Sequence, residues 1–160
     1  MGKEDVRKIT KDEALSRAAR LCSGSEYCTS QVLEKLIRWG VSAEEAADVV
    51  GKLVAERFID NSRFACAYCH DKFFYSHWGR IKIAQMLRHL RLSDEEIAEG
   101  LATIPDESYP KALHDALIAK DRSLHDTDLY QRKAKLVRHL LSRGYEMSLA
   151  IEAVDQHLKL

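Results

Sequence analysis

Residues 30–53, SQVLEKLIRWGVSAEEAADVVGKL, come back twice further along the chain. A shift of 51 positions lays them on residues 81–104, IKIAQMLRHLRLSDEEIAEGLATI. In that register Leu36 falls on Leu87, Val41 on Leu92, Ser42 on Ser93, Glu44 and Glu45 on Glu95 and Glu96, and Val50 on Leu101. A shift of 104 lays Leu36 on Leu140, Gly40 on Gly144 and Val41 on Tyr145. Three copies at a period near 50 residues constrain the fold more than any other feature. They mark a repeat protein, whose units are expected to stack on one another.

Each copy reads as helix, tight turn, helix. Val32, Leu33, Leu36 and Ile37 take the spacing of one helical face. Gly40 stands where the chain must leave the helix, and glycine enters the left-handed conformation at little cost. Ser42 with Glu45, and Ser93 with Glu96, are capping boxes that open the next helix. Arg91 occupies the glycine position of the second copy, which predicts a turn built differently or carrying mild strain.

The rest of the chain fits the same unit. Thr10 with Glu13 opens a helix over 11–22, and helices over 29–39 and 43–57 complete the first unit. The second holds helices over 62–75, 80–91 and 94–103, with a break at Gly79. The third holds helices over 110–122, 127–143 and 146–158. No run of alternating β-branched residues calls for a strand, and no Gly/Ser or Pro-rich linker separates the units. The expected fold is all-α: three tandem three-helix repeats stacked into an extended curved body. Its boundaries are 1–9 (flexible N-terminus), 10–58, 59–104 and 105–160.

Lys+Arg and Asp+Glu both number 25, so the formal net charge is zero and no global field draws the chain to nucleic acid or membrane. No apolar run approaches the 20 residues of a spanning helix, and the N-terminus lacks an apolar signal segment. The expectation is a cytoplasmic protein with no membrane contact and four reduced cysteines.

ALSRAARLCSGSEYCTSQVLEKLIRWGV, FIDNSRFACAY, WGRIKIAQMLRHLRLSDEEI and KAKLVRHLLSRGY follow one another in the chain. In their order and spacing these stretches resemble the RecX family of recombination regulators, from about Ala14 to Val154. Arg91 departs from the glycine usual there. The resemblance implies a small all-helical regulator that binds RecA recombinase, alone or as a filament on single-stranded DNA. It implies inhibition of the ATPase, recombinase and strand-exchange activities of RecA, and hence a place in DNA recombination, DNA repair and the SOS response. It implies no catalysis.

Charge is unevenly spread. Lys72, Arg80, Lys82, Arg88 and Arg91 fall in a stretch with no acid, and four acids follow at 94–99. Arg132, Lys133, Lys135, Arg138 and Arg143 form a second acid-free basic stretch. These ten are the candidate contacts to RecA or its DNA. Stacking is expected to bring the equivalent helices alongside one another and merge the two bands into one stripe. Their bland reading is a set of solvated helix faces with ion pairs worth only ~0–1 kcal/mol each.

Cys66, Cys69 and His70 spell a haem-attachment pattern, but it lies inside an amphipathic helix with no export signal. Cys22 and Cys28 have a spacing unusual for half a zinc site. The expectation is no cofactor and no metal, with the cysteines serving as small core residues. Trp39, Trp78, Tyr75 and Tyr130 sit near helix ends, where packing between units is favoured over base stacking. No histidine is spaced from a serine, cysteine or acid as a nucleophile–base pair would be, and no phosphate-binding loop is present, so no catalytic residue is named. The second reading is a helical DNA-binding protein that uses the helix pairs as helix-turn-helix elements, although such modules are usually basic overall. The chain is expected to be a monomer with at most weak direct DNA binding.

Overall fold

The computed structural model describes residues 8–160. Expectations for residues 1–7, the larger part of the flexible N-terminus, lie outside the described residues. Among those described there are nine helices and no strand. They are α1 Lys11–Gly24, α2 Thr29–Arg38, α3 Ala43–Ala55, α4 Asn61–Phe74, α5 Arg80–His89, α6 Asp94–Ala102, α7 Ser108–Ser123, α8 Leu129–Ser142 and α9 Met147–Leu158. Each end lies within two residues of its sequence expectation.

One turn is built three times. Gly40 N donates to Ile37 O at 3.0 Å, and Val41 N donates to Leu36 O at 3.1 Å. Gly144 and Tyr145 make the same two bonds to Leu141 and Leu140, at 3.0 and 3.1 Å. Arg91 and Leu92 make them to Arg88 and Leu87, at 2.9 and 3.2 Å. This is the Schellman ending, and it satisfies carbonyls that the helix leaves unpaired. Gly40, Gly144 and Arg91 all have positive φ, at 92°, 95° and 64°. The second copy therefore keeps the glycine turn with an arginine in it, at a local strain on the order of 1–2 kcal/mol. The residue after each left-handed position (Val41, Leu92 or Tyr145) is buried with its helix anchor. Apolar contact thus outweighs the strain.

The caps are local as well. Thr10 and Ser42 hydroxyls each accept from the amide three residues on, at 3.2 Å. Ser93 and Glu96 close both halves of a capping box: Ser93 N donates to the Glu96 carboxylate at 2.8 Å and Glu96 N to the Ser93 hydroxyl at 3.1 Å.

Packing divides the molecule unequally. Ala14, Ala18, Val32, Leu36, Val49, Leu53 and Ile59 belong to one core, within the first unit. Phe64, Phe73, Ile83, Leu87, Leu117, Leu136, Leu140, Tyr145 and Val154 belong to a second, which units two and three share. Cys28 is the one buried residue of unit one that enters this second core. Inside unit two, a Cβ on Gly100 would lie 2.9 Å from Ala65, so α4 and α6 approach as closely as only a glycine permits.

The joint between units two and three is backbone on backbone. Gly79 N donates to Arg143 O at 2.7 Å and Ile81 N to Gly144 O at 3.0 Å. A Cβ on Gly79 would lie 2.4 Å from Gly144 C, and one on Gly144 would lie 2.3 Å from the Lys82 Cβ. The C-terminal turn of α8 therefore covers the N-terminus of α5. The first joint repeats the plan more loosely: the turn after α5 meets the start of α2, where the Ser30 hydroxyl donates to Leu90 O at 2.6 Å. Thr29 N donates to the Asn61 side-chain oxygen at 2.9 Å, and Arg63 pairs with Glu26 at 2.6 Å. This corrects one expectation. The second helices of successive units meet end to end, not side by side, because each turn offers carbonyls that the next helix's first amides or hydroxyls need.

Leu36, Leu87 and Leu140 are each 0% exposed. Truncation to alanine should cost ~2–5 kcal/mol at each site, read from urea midpoints; a loss near zero would place that helix face in solvent. Gly40→Ala and Gly144→Ala carry the same φ strain, but only Gly144 lacks room for the methyl. Gly144→Ala should therefore be the more destabilising by ~1–3 kcal/mol, and equal losses would contradict the close joint.

Candidate functional site

The ten basic side chains fall into three groups. Arg80 and Arg143 belong to the joint. The Arg80 guanidinium lies 3.9 Å over the Tyr109 ring, is 3.1 Å from Asp106 and is 4.0 Å from Glu146. Its amide donates to the Tyr109 hydroxyl at 3.0 Å, and that hydroxyl donates to Glu146 at 2.9 Å. Burial pushes the Tyr109 phenol up, so it stays a donor. Arg143 donates to Ser76 O, and the Tyr145 phenol, pushed up to about 12 by burial, donates to His77 O at 3.0 Å.

Arg132, Lys133 and Lys135 pair within unit three. Arg132 holds Asp121 at 2.6 Å, Lys133 holds Asp155 at 2.6 Å and Lys135 holds Asp126 at 2.5 Å. Lys72 and Lys82 stand 4.7 and 4.3 Å from the Trp78 ring centroid, a cation–π arrangement, and no ion pair among the described residues compensates their charge. Arg88, Arg91 and Arg138 are exposed, and no ion pair or hydrogen bond among the described residues engages their guanidinium groups. The structure therefore leaves five side chains with charge to offer: Lys72, Lys82, Arg88, Arg91 and Arg138.

Sequence reasoning missed Tyr109 and Glu146, which fix Arg80, and Lys120 of α7, which stands beside α8. Nothing near these residues in the chain marks them: Tyr109 meets Arg80 across 29 positions and Glu146 across 37, and Lys120 lines a cleft with residues of the next helix. Of the aromatics, Trp78 packs on the shared core and Trp39 on the first, beneath the Arg17 guanidinium at 4.1 Å. Tyr75 and Tyr130 are 76% and 83% exposed.

All four cysteines are unbonded. Cys69 is buried and its thiol is pushed up to about 12 by burial, which leaves it inert; the neighbouring His70 is exposed and packs on Phe74 at 4.8 Å. The haem-like spelling thus places its cysteine and histidine in different surroundings. Among the described residues no group of three or more His, Cys, Asp or Glu could hold a metal ion. Nor is any helix long and apolar enough to cross a membrane.

The first, second and third three-helix domains of RecX match residues 14–53, 60–101 and 107–154 in that order. The chain belongs to the RecX family. "Regulatory protein RecX" of Thermus thermophilus is 30% identical over 88% of this chain and 89% of its own length. That of Ralstonia pickettii is 28% identical over 84% and 81%. That of Lactobacillus johnsonii is 24% identical, and the chain spans 58% of its length. The chain spans a little over half of that of Leuconostoc mesenteroides too. A crystal structure of regulatory protein RecX superposes with a TM-score of 0.81 at 20% identity, covering 93% of this chain and 71% of the other. RecX from Lactobacillus salivarius superposes with 0.78 at 18%, covering 93% and 96%. The three RecX units thus carry a regulatory family's fold.

Unit three of this RecX-family chain should be sensitive to acid through Asp121. The Arg132 hydrogen bond, outweighing burial and aided by His157 at 2.9 Å, holds its carboxyl below the usual range. A depressed folded value means that the unfolded chain takes up the proton first. The stabilisation is complete above about pH 4 and is lost as the pH falls through the lower folded value. Asp121→Asn should remove that part of the acid slope in thermal melts. An unchanged slope would show that Asp121 is not held by its partners.

Proposed function

We propose that this RecX-family chain binds RecA recombinase, alone or as a filament on single-stranded DNA. Bound there, it restrains the ATPase, recombinase and strand-exchange activity of RecA. It works in the cytoplasm, as a monomer and without catalysis of its own. The observation that carries the reading is the match of all three RecX domains, in order, across most of the chain. The exposed cations of α5, of the turn after it and of α8 support the contact surface: Arg88, Arg91 and Arg138, with Lys72 and Lys82 beside Trp78. Each of the two units contributes some of them. Linked weak contacts of this kind raise avidity on a repeating partner without any single strong pair.

A helix-turn-helix reader of DNA is the weaker reading. Such a reader brings the N-terminal residues of its second helix to the base edges. Here those turns carry Glu44 and Glu45 on α3 and Asp94, Glu95 and Glu96 on α6. Carboxylates at that place repel the phosphate backbone.

The test is inhibition of RecA ATPase on single-stranded DNA by the double variant Arg88→Glu/Arg138→Glu. Inhibition should weaken on the order of tenfold, while the fold, changed only at exposed sites, holds within ~0.5 kcal/mol. Glu95→Lys/Glu99→Lys is the charge-reversal control and should matter less where DNA phosphates dominate the contact. A double variant as inhibitory as the parent at physiological salt would contradict the assignment of these arginines.

A further inference from the structure

Between α7 and α8 of unit three lies a cleft of about 470 Å³ lined by Lys120, Leu124, Lys135, Arg138, His139 and Ser142. No carboxylate lines it. Lys135 is held from outside by Asp126. The Ser142 hydroxyl donates to the His139 carbonyl at 2.6 Å. Three side chains remain, Lys120 from α7 and Arg138 and His139 from α8, and no ion pair or hydrogen bond among the described residues satisfies their nitrogens. Like charge crowds the place. Burial, then Lys120 and Arg143, holds the His139 imidazole below its ordinary value, so it stands neutral. Donors gathered without an acceptor are incomplete, and a phosphate group would fill the gap with charge-assisted hydrogen bonds.

The cations continue beyond the cleft. α8 ends one helical turn after His139, and Gly144 of the turn that follows lies against Lys82. Lys82 and Lys72 then flank Trp78. At the end of α4, Tyr75 is 76% and Phe74 41% exposed. Cations at successive steps beside open rings suit a strand of linked phosphates with stacking bases better than one isolated anion. We propose that the α7–α8 cleft is a phosphate site, where Lys120, Arg138 and His139 hold a phosphodiester group of single-stranded nucleic acid that runs on across the joint towards α4. This deepens the reading above by naming the strand as what unit three meets, yet it needs no RecA to be tested.

The whole chain, without RecA, is titrated into a fluorescent oligo(dT) at low salt. Lys120→Ala and Arg138→Ala should each weaken binding roughly 3–10-fold and lower the salt slope by about 0.7. Arg122→Ala, an exposed cation of α7 outside the cleft, should not. The His139 ring, assigned by NMR with His139→Gln, should titrate higher once the oligonucleotide is bound, since a phosphate stabilises the imidazolium. Binding should therefore tighten from about pH 7.5 to about pH 5.5, and His139→Gln should erase that gain. Three results would each overturn the proposal. They are no oligonucleotide binding, a Lys120→Ala affinity equal to the parent's, and an equal His139 shift from inorganic phosphate or polyglutamate at matched charge. Pull-down of RecA in the absence of DNA reports separately on the function proposed above.

Discussion

The contact between Gly79 and Gly144 is the constraint on which the larger half of the molecule depends. Two backbones meet there with no room for a Cβ on either side. The approach lets Gly79 and Ile81 amides use the carbonyls left over by the end of α8, at 2.7 and 3.0 Å. It also sets Arg80 on Tyr109 and Tyr145 on His77, and with them the apolar core that units two and three share. In the repeat register the same two positions at the first joint are Cys28 and Arg91. Side chains stand where the glycines were, so the backbones stay apart. A serine hydroxyl and the Cys28 sulfur, 4.0 Å from Leu90 O, bridge the gap. One plan of docking thus yields a close joint and a loose one.

Local features were legible in the sequence. The period, the apolar face and the capping residues fix helices whose ends sequence reasoning places within two residues, because each signal acts within four positions. Arg91 shows the limit of residue preference. The buried Leu92–Leu87 contact imposes the glycine turn on an arginine. The joints were less legible. Equivalent helices meet end to end, and Gly144 matters for space as well as for φ, through contacts between residues more than 60 positions apart, which no local pattern marks.

The candidate surface was legible as composition, not as chemistry. The two basic stretches stand out in the chain, but whether a cation is spent depends on partners far away. Arg80 finds Asp106 at a separation of 26 residues and Arg132 finds Asp121 at 11. Such pairs keep a neutral protein's charge local and leave the uncompensated arginines at a few exposed positions. For a regulator that meets a repeating partner, that distribution favours specificity and association rate over strong single contacts.

The central claim, one docking plan with a close second joint and a loose first, is tested most directly by single-tryptophan unfolding. Trp78→Phe leaves Trp39 to report on the first core, and Trp39→Phe leaves Trp78 to report on the shared core. The account predicts two transitions in urea, with Trp39 changing at the lower concentration and Trp78 later. Coincident transitions from both probes, with one m-value for the whole chain, would contradict it.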